Sequence, residues 1–184
     1  MKIAKTLILT LLVVLTFFLI SCQSLEAESK ILTPENFKIA FIGDQGLNNN
    51  SKAVLQLIKD ENADMVMHQG DFDYQNNPDA WDQQIKNVLG TDFPYFASIG
   101  NHDAGAWIVY QQKLKARLDK VEGANCKGDL GVKSSCTYKG IFFILLGVGT
   151  KGFNYNSYIK EELAQDNSIW KICSWHKNQR LMQV

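Results

Sequence analysis

The sequence predicts an α/β domain built on a parallel sheet covered on both faces, and three observations carry that prediction. Short apolar runs of strand length recur at residues 37–42, 64–68 and 93–99. Segments of helical length with one apolar face separate them, an alternation that builds βαβ units. Each run ends in a polar turn headed by glycine: Gly43-Asp44, Gly70-Asp71 and Gly100-Asn101.

Taken in order, the first 22 residues differ from the rest. Lys2 and Lys5 precede residues 6–20, which carry no charge. Fifteen residues make about 22 Å of helix. A bilayer's hydrocarbon takes about 20 residues, so the segment reads as the apolar part of an export signal. It ends "LISC", residues 19–22, which resembles the processing site of bacterial lipoproteins and would leave Cys22 as a lipidated, membrane-anchored N-terminus. A plain secretory signal or an uncleaved anchor are the alternatives. All three carry the chain out of the cytoplasm, to the outer side of the membrane, the periplasm or beyond. Residues 23–36 are polar and aperiodic and read as a tether, which leaves residues 37–184 as the domain.

Within the domain, residues 37–42 form a strand ending "GDQG". The helix that follows puts Val54, Leu55 and Ile58 on one face, with asparagines suited to its N-cap. Residues 64–68 form the second strand, ending "QGDFDY". Asn77-Pro78 opens the next helix, with proline at its first position, through Leu89. Residues 93–99 form the third strand, and a helix over 107–121 comes after "GNHD". The rhythm then changes. Residues 137–146 read as a hairpin turning at Gly140, followed by a short helix over 158–165 and a last strand, "IWKICSWH".

Composition bounds the partners. The chain has 184 residues, 46% hydrophobic, and its 19 basic and 19 acidic residues cancel. That suits one domain with an ordinary core, and with no basic stripe no nucleic-acid partner is indicated. Export permits disulfides. Cys126 and Cys136 flank a polar loop and are placed to close it, while Cys173, in an apolar run, reads as a buried thiol.

The glycine-headed turns carry the chemistry. In a parallel sheet the carboxyl ends of the strands share one edge, where ligands collect. Asp44, Asp71, Asn101 and His102 are therefore expected to converge, with His176 joining them from the end of the last strand. Singly, each has an ordinary reading: a helix cap, a turn residue, a core histidine. Together, two carboxylates, an amide and an imidazole in one crevice need a cation, and this donor set suits Zn, Mn, Fe or similar ions.

In order and spacing, "GDQG", "GDFDY", "GNHD" and "SWH" resemble the motifs of the calcineurin-like metallophosphoesterases, over residues 37–179. Gly46 and Tyr74 make the chain similar to the purple acid phosphatase branch. That resemblance implies a sandwich of β-sheets flanked by helices. It also implies two metal ions: Asp44 and Tyr74 on the first, Asp71 bridging, and Asn101 and His176 on the second. A phenolate ligand implies iron there, with Fe, Zn or Mn in the other place. By the same resemblance, hydroxide generated between the ions attacks a phosphate ester, and His102 donates to the phosphate or to the leaving oxygen. Asp103 would orient that imidazole or cap the next helix. The implied activity is that of an acid phosphatase acting on phosphomonoesters; a phosphodiesterase or nucleotidase of the same family and a non-catalytic binding module are the alternatives.

Three further features stand beside these. His68 reads as structural or as an outer partner of the site. "DFD" superficially resembles the nucleophile pair of haloacid dehalogenases, but Gln75 stands where that family has threonine or valine. Tyr74, Trp107 and Tyr110 are candidates to line a pocket, with core packing the stronger reading for Trp107. One departure stands out. The family completes its site with a Gly-His-x-His segment, and this sequence contains only His68, His102 and His176. The expectation is a chain lacking the C-terminal part of the second sheet, poorly active and marginally stable alone. A shortened relative that binds metal weakly is the alternative.

Overall fold

The computed structural model describes residues 33–177. The export segment with Cys22, most of the tether and residues 178–184 lie outside the described residues.

Three short strands, β1 (Ile39–Ile42), β2 (Met65–His68) and β3 (Tyr95–Ala97), pair in parallel in the order β1-β2-β3. Their register puts Ile42 beside His68 and His68 beside Ala97, so all three strands end level. Every residue of β2 is buried, as a strand covered on both faces requires. Its alternation divides the core. Val66 joins Leu55, Trp81 and Tyr110 under the helices, whereas Met65 and Met67 pack with Phe96, Phe143 and Leu145 on the other side.

The helical layer consists of α1 (Asn49–Asp60), α2 (Pro78–Leu89) and α3 (Trp107–Leu118). Asn48 and Ser51 cap α1 reciprocally, each side chain accepting the other's backbone N–H at 3.0 Å. Asn77 caps α2 by accepting from Ala80 N at 3.1 Å, with Pro78 at the first turn. A 3₁₀ turn, Ala104–Ala106, leads into α3, which ends at Leu118, three residues earlier than its pattern predicts.

The other face of the parallel sheet is covered by a second sheet. Its strands are β4 (Asn125–Asp129), β5 (Lys133–Tyr138), β6 (Ile141–Leu146) and β7 (Trp170–Trp175), in the order β4-β5-β6-β7. β4, β5 and β6 are antiparallel, while β7 returns parallel to β6 after the helix α4 (Tyr155–Gln165). β6 is buried throughout: Ile141, Phe143 and Leu145 face the first sheet, and Phe142, Ile144 and Leu146 face α4. The result is four layers, helices–sheet–sheet–helix.

Two features differ from the sequence reading. The segment between Cys126 and Cys136 is not a loop; it forms β4, a tight turn and β5, and the disulfide joins directly opposed residues with Cα atoms 4.1 Å apart. Cys173 is half-buried rather than enclosed, because β7 is an edge strand. Among the described residues no helix is long and apolar enough to cross a membrane.

Candidate metal centre

The level ends of β1 and β2 continue as two loops that stay hydrogen-bonded to each other. Asp44 N donates to Gly70 O at 3.0 Å, Gln45 N to Asp71 O at 2.9 Å and Gly46 N to Phe72 O at 3.0 Å. Asp44 and Asp71 take left-handed backbone conformations, with φ of 51° and 58°. Non-glycine residues adopt that region at a cost, and such strain gathers where side chains are aimed at a site. Both carboxylates turn to the same side.

Glycine is required where the loops meet. A Cβ on Gly70 would lie 2.6 Å from Gly100 N and 2.9 Å from the His176 Cβ. A Cβ on Gly100 would lie 2.1 Å from both the backbone nitrogen and a carboxylate oxygen of Asp71. Any side chain at either position would push the loops apart.

His176 arrives from the second sheet. The Ser98 hydroxyl donates to Ser174 O at 3.0 Å and ties the end of β3 to β7, two residues before the histidine. His176 Nδ1 lies 3.0 Å from Gln69 O, and Nε2 lies 3.3 Å from Asp71 Oδ2. A carbonyl only accepts, so Nδ1 carries the proton. Nε2 therefore faces the Asp71 carboxylate either with a second proton or with a lone pair turned toward a cation. A ring nitrogen donating to a backbone carbonyl while the other points into the site is how metal-bound histidines are held. Donor atoms of Asp44, Asp71 and His176 lie within 4.8 Å of one another. Bonds of about 2.1 Å to a shared ion would close that spacing with small side-chain movement. The donor set fits a metal.

The remaining candidates surround these three. The Tyr74 hydroxyl donates to Asp44. Desolvation, the bond to Asp44 and the charges of Asp44 and Asp71 hold its phenol above the ordinary tyrosine range; a bound cation would act in the opposite sense. The His102 ring packs on Tyr74 at 4.7 Å between centroids, its Nε2 lies 4.0 Å from Asp71 Oδ2, and its backbone N–H donates to Asp71 Oδ1 at 2.9 Å. Asn101 is exposed in the turn between Gly100 and His102. Asp44, Asp71, Tyr74, His102 and His176 thus come together, with Asn101 in the adjoining turn.

Asp103 does something else. It neither bonds the His102 ring nor caps the next helix, because both its oxygens are spent on main chain. The carboxylate is buried and accepts from Asp71 N at 2.9 Å, Phe72 N at 2.8 Å and Gly100 N at 2.7 Å. Burial raises its pKa to about 6 against the opposing pull of those three bonds. Asp103 clamps the second and third turns together.

His68, Trp107, Tyr110 and Asp73 are structural. His68 is wholly buried on the helical side of β2, against the rings of Phe72 and Tyr95, and neither ring nitrogen has a partner. Burial, with the nearby His176 adding to it, lowers its pKa to about 3, so the ring is neutral. Trp107 and Tyr110 are buried in the core under the helices. Asp73 is buried, and Gln75 N and Asn77 N donate to it at 2.7 and 3.0 Å, so its carboxylate faces its own turn.

Comparison with known proteins agrees with this arrangement. The family model for calcineurin-like phosphoesterases matches residues 37–180. Among solved structures, a purple acid phosphatase isolated from yellow lupin (Lupinus luteus) seeds superposes with a TM-score of 0.51 at 19% identity, over 74% of this chain. The chain spans 29% of that phosphatase's length. No curated protein matches the sequence.

Proposed function

Because the chain belongs to the calcineurin-like phosphoesterase family, whose members are metal-dependent, we propose that it is a phosphomonoesterase of purple acid phosphatase type. In this reading Asp44, Asp71, Tyr74, Asn101 and His176 hold two metal ions, with iron beside Tyr74 and Fe, Zn or Mn in the other place. The observation that carries the reading is the meeting of Asp44, Asp71 and His176 donors within 4.8 Å, with the His176 proton committed to Gln69.

Bound cations supply charge that polarises phosphoryl oxygens and acidifies water. The chain's own residues do the rest. The Gly70 and Gly100 turns bring the carboxylates together, and Asp103 keeps those turns from parting. His102 is half-exposed beside the carboxylates, with its main chain fixed on Asp71. Its imidazole is free to bind the phosphate or to pass a proton to the departing alkoxide. No side chain needs to become phosphorylated.

The sequence supplies one imidazole ligand and no Gly-His-x-His segment, so the chain as it stands is a weak catalyst in this reading. In this reading it works outside the cytoplasm, anchored through Cys22 or an uncleaved signal, or released after a plain secretory signal is cut. The test is hydrolysis of a chromogenic aryl phosphate by the purified chain with added Fe, Zn or Mn, run beside the corresponding diester. Slow monoester turnover that chelator and Asp71→Asn abolish supports the proposal. Turnover indifferent to both, or confined to the diester, overturns it.

A further inference from the structure

Tyr74 poses a problem that the metal-site reading leaves open. Its side chain is 45% exposed, with the Asp44 carboxylate and the His102 ring beside it. Those neighbours touch only the far end of the side chain, and the direction in which it leaves the main chain is set by the backbone, which is left-handed at φ 60°. What holds that backbone is Asp73. Its Oδ1 accepts from Gln75 N at 2.7 Å, and its Oδ2 accepts from Asn77 N at 3.0 Å and from the Tyr110 hydroxyl at 2.5 Å.

The chemistry of this carboxylate is specific. It is 2% exposed, and no cation pairs with it among the described residues. Three neutral donors share two oxygens, so an amide would turn its own N–H₂ against at least one of them. Two of the donors belong to the turn that carries Tyr74, and the third belongs to a different element. Tyr110 sits on α3, wholly buried, with its ring edge-on to Phe72 and Trp81 at 5.2 and 5.6 Å. Those contacts make it the fixed end of the chain Tyr110–Asp73–turn.

We propose that Tyr110 is a positioning residue for Tyr74, acting through Asp73: its hydroxyl fixes the carboxylate around which the 73–77 turn is wound, and so fixes where the phenol points. The inference rests on the reading of Tyr74 as a metal ligand. Losing such an outer partner of a ligand costs about 10–100-fold in metal affinity, and Tyr110→Phe removes one oxygen while leaving the ring packing in place.

The test uses the full chain loaded with ferric ion, because a phenolate on ferric iron gives a visible charge-transfer band that no other ligand proposed here produces. Tyr110→Phe is expected to keep the metal-free urea midpoint close to that of the parent, yet to shift or weaken the band and release iron about tenfold faster. Asp73→Asn is expected to act in the same direction and further, and serves if Tyr110→Phe does not fold. Tyr138→Phe, a buried phenol of the second sheet, is expected to leave the band alone. A parent band unchanged in both Tyr110→Phe and Asp73→Asn overturns the inference. A parent with no band, or a band that survives Tyr74→Phe, removes Tyr74 from the metal and overturns the ligand reading together with this inference.

Discussion

The strands of the parallel sheet are three or four residues long, and those of its partner sheet five or six. The short strands open into long loops with left-handed Asp44, Asp71 and Tyr74. In the second sheet the comparable backbone is Lys139-Gly140, at φ 48° and 78°, where it only closes the hairpin from β5 to β6. The first sheet gives the candidate site two carboxylates, a phenol, an amide and an imidazole; the second gives it His176 alone. The contrast shows where this chain bears strain. One sheet presents donors at a conformational cost, and the other holds the inter-sheet core that offsets it.

A large effect on stability tests the second sheet. Phe143 is fully buried and edge-on to Phe96 at 4.5 Å, so Phe143→Ala should destabilise the chain by about 3–5 kcal/mol. Metal affinity per folded molecule should barely move; urea titration with and without metal separates the two. Asp103→Ala strikes the first sheet instead. It strands three backbone N–H groups, at about 1–3 kcal/mol for each that water does not reach. Unlike Phe143→Ala, it should also weaken metal binding in the molecules that remain folded. Equal effects of the two variants on metal affinity would erase the contrast.

Smaller effects sharpen it. Replacing Cys126 and Cys136 by serine removes a link ten residues apart in sequence, worth about 2–3 kcal/mol. Thermal unfolding should shift while metal binding does not. His68 adds a pH dependence. Its folded pKa is depressed to about 3 from 6.5, so between those values the unfolded chain binds a proton that the folded chain refuses. Stability then falls as pH drops through that window, by about 1.4 kcal/mol per unit. In metal-free His68→Leu the fall between pH 6 and pH 4 should be shallower, and an identical slope would show that His68 does not titrate in unfolding.

The glycine-headed turns were legible because a strand end followed by glycine and a donor is a local pattern, and a parallel sheet converts it into a shared edge. What the sequence hid is non-local. β4, "NCKGD", is a largely exposed edge strand with no apolar alternation, so its charges read as loop. That β7 pairs with β6, and not with the first sheet, depends on the crossover through α4, which periodicity does not encode. The roles of Asp73 and Asp103 were not legible for one reason. Their partners are backbone N–H groups and a distant tyrosine, and amide donors look alike at every position of a sequence. His68, just before "QGD", reads as structural or as an outer partner of the site, and the twofold alternation of β2 turns it to the helical side, away from the donors.

Metal binding by the purified chain, measured by calorimetric titration with Zn and Mn, bears most directly on the claim that these turns exist to hold cations. The account predicts saturable binding that Asp71→Asn removes and that Phe143→Ala spares in the folded fraction. Binding that persists undiminished without the Asp71 carboxylate, or no binding by the folded parent chain, would contradict it.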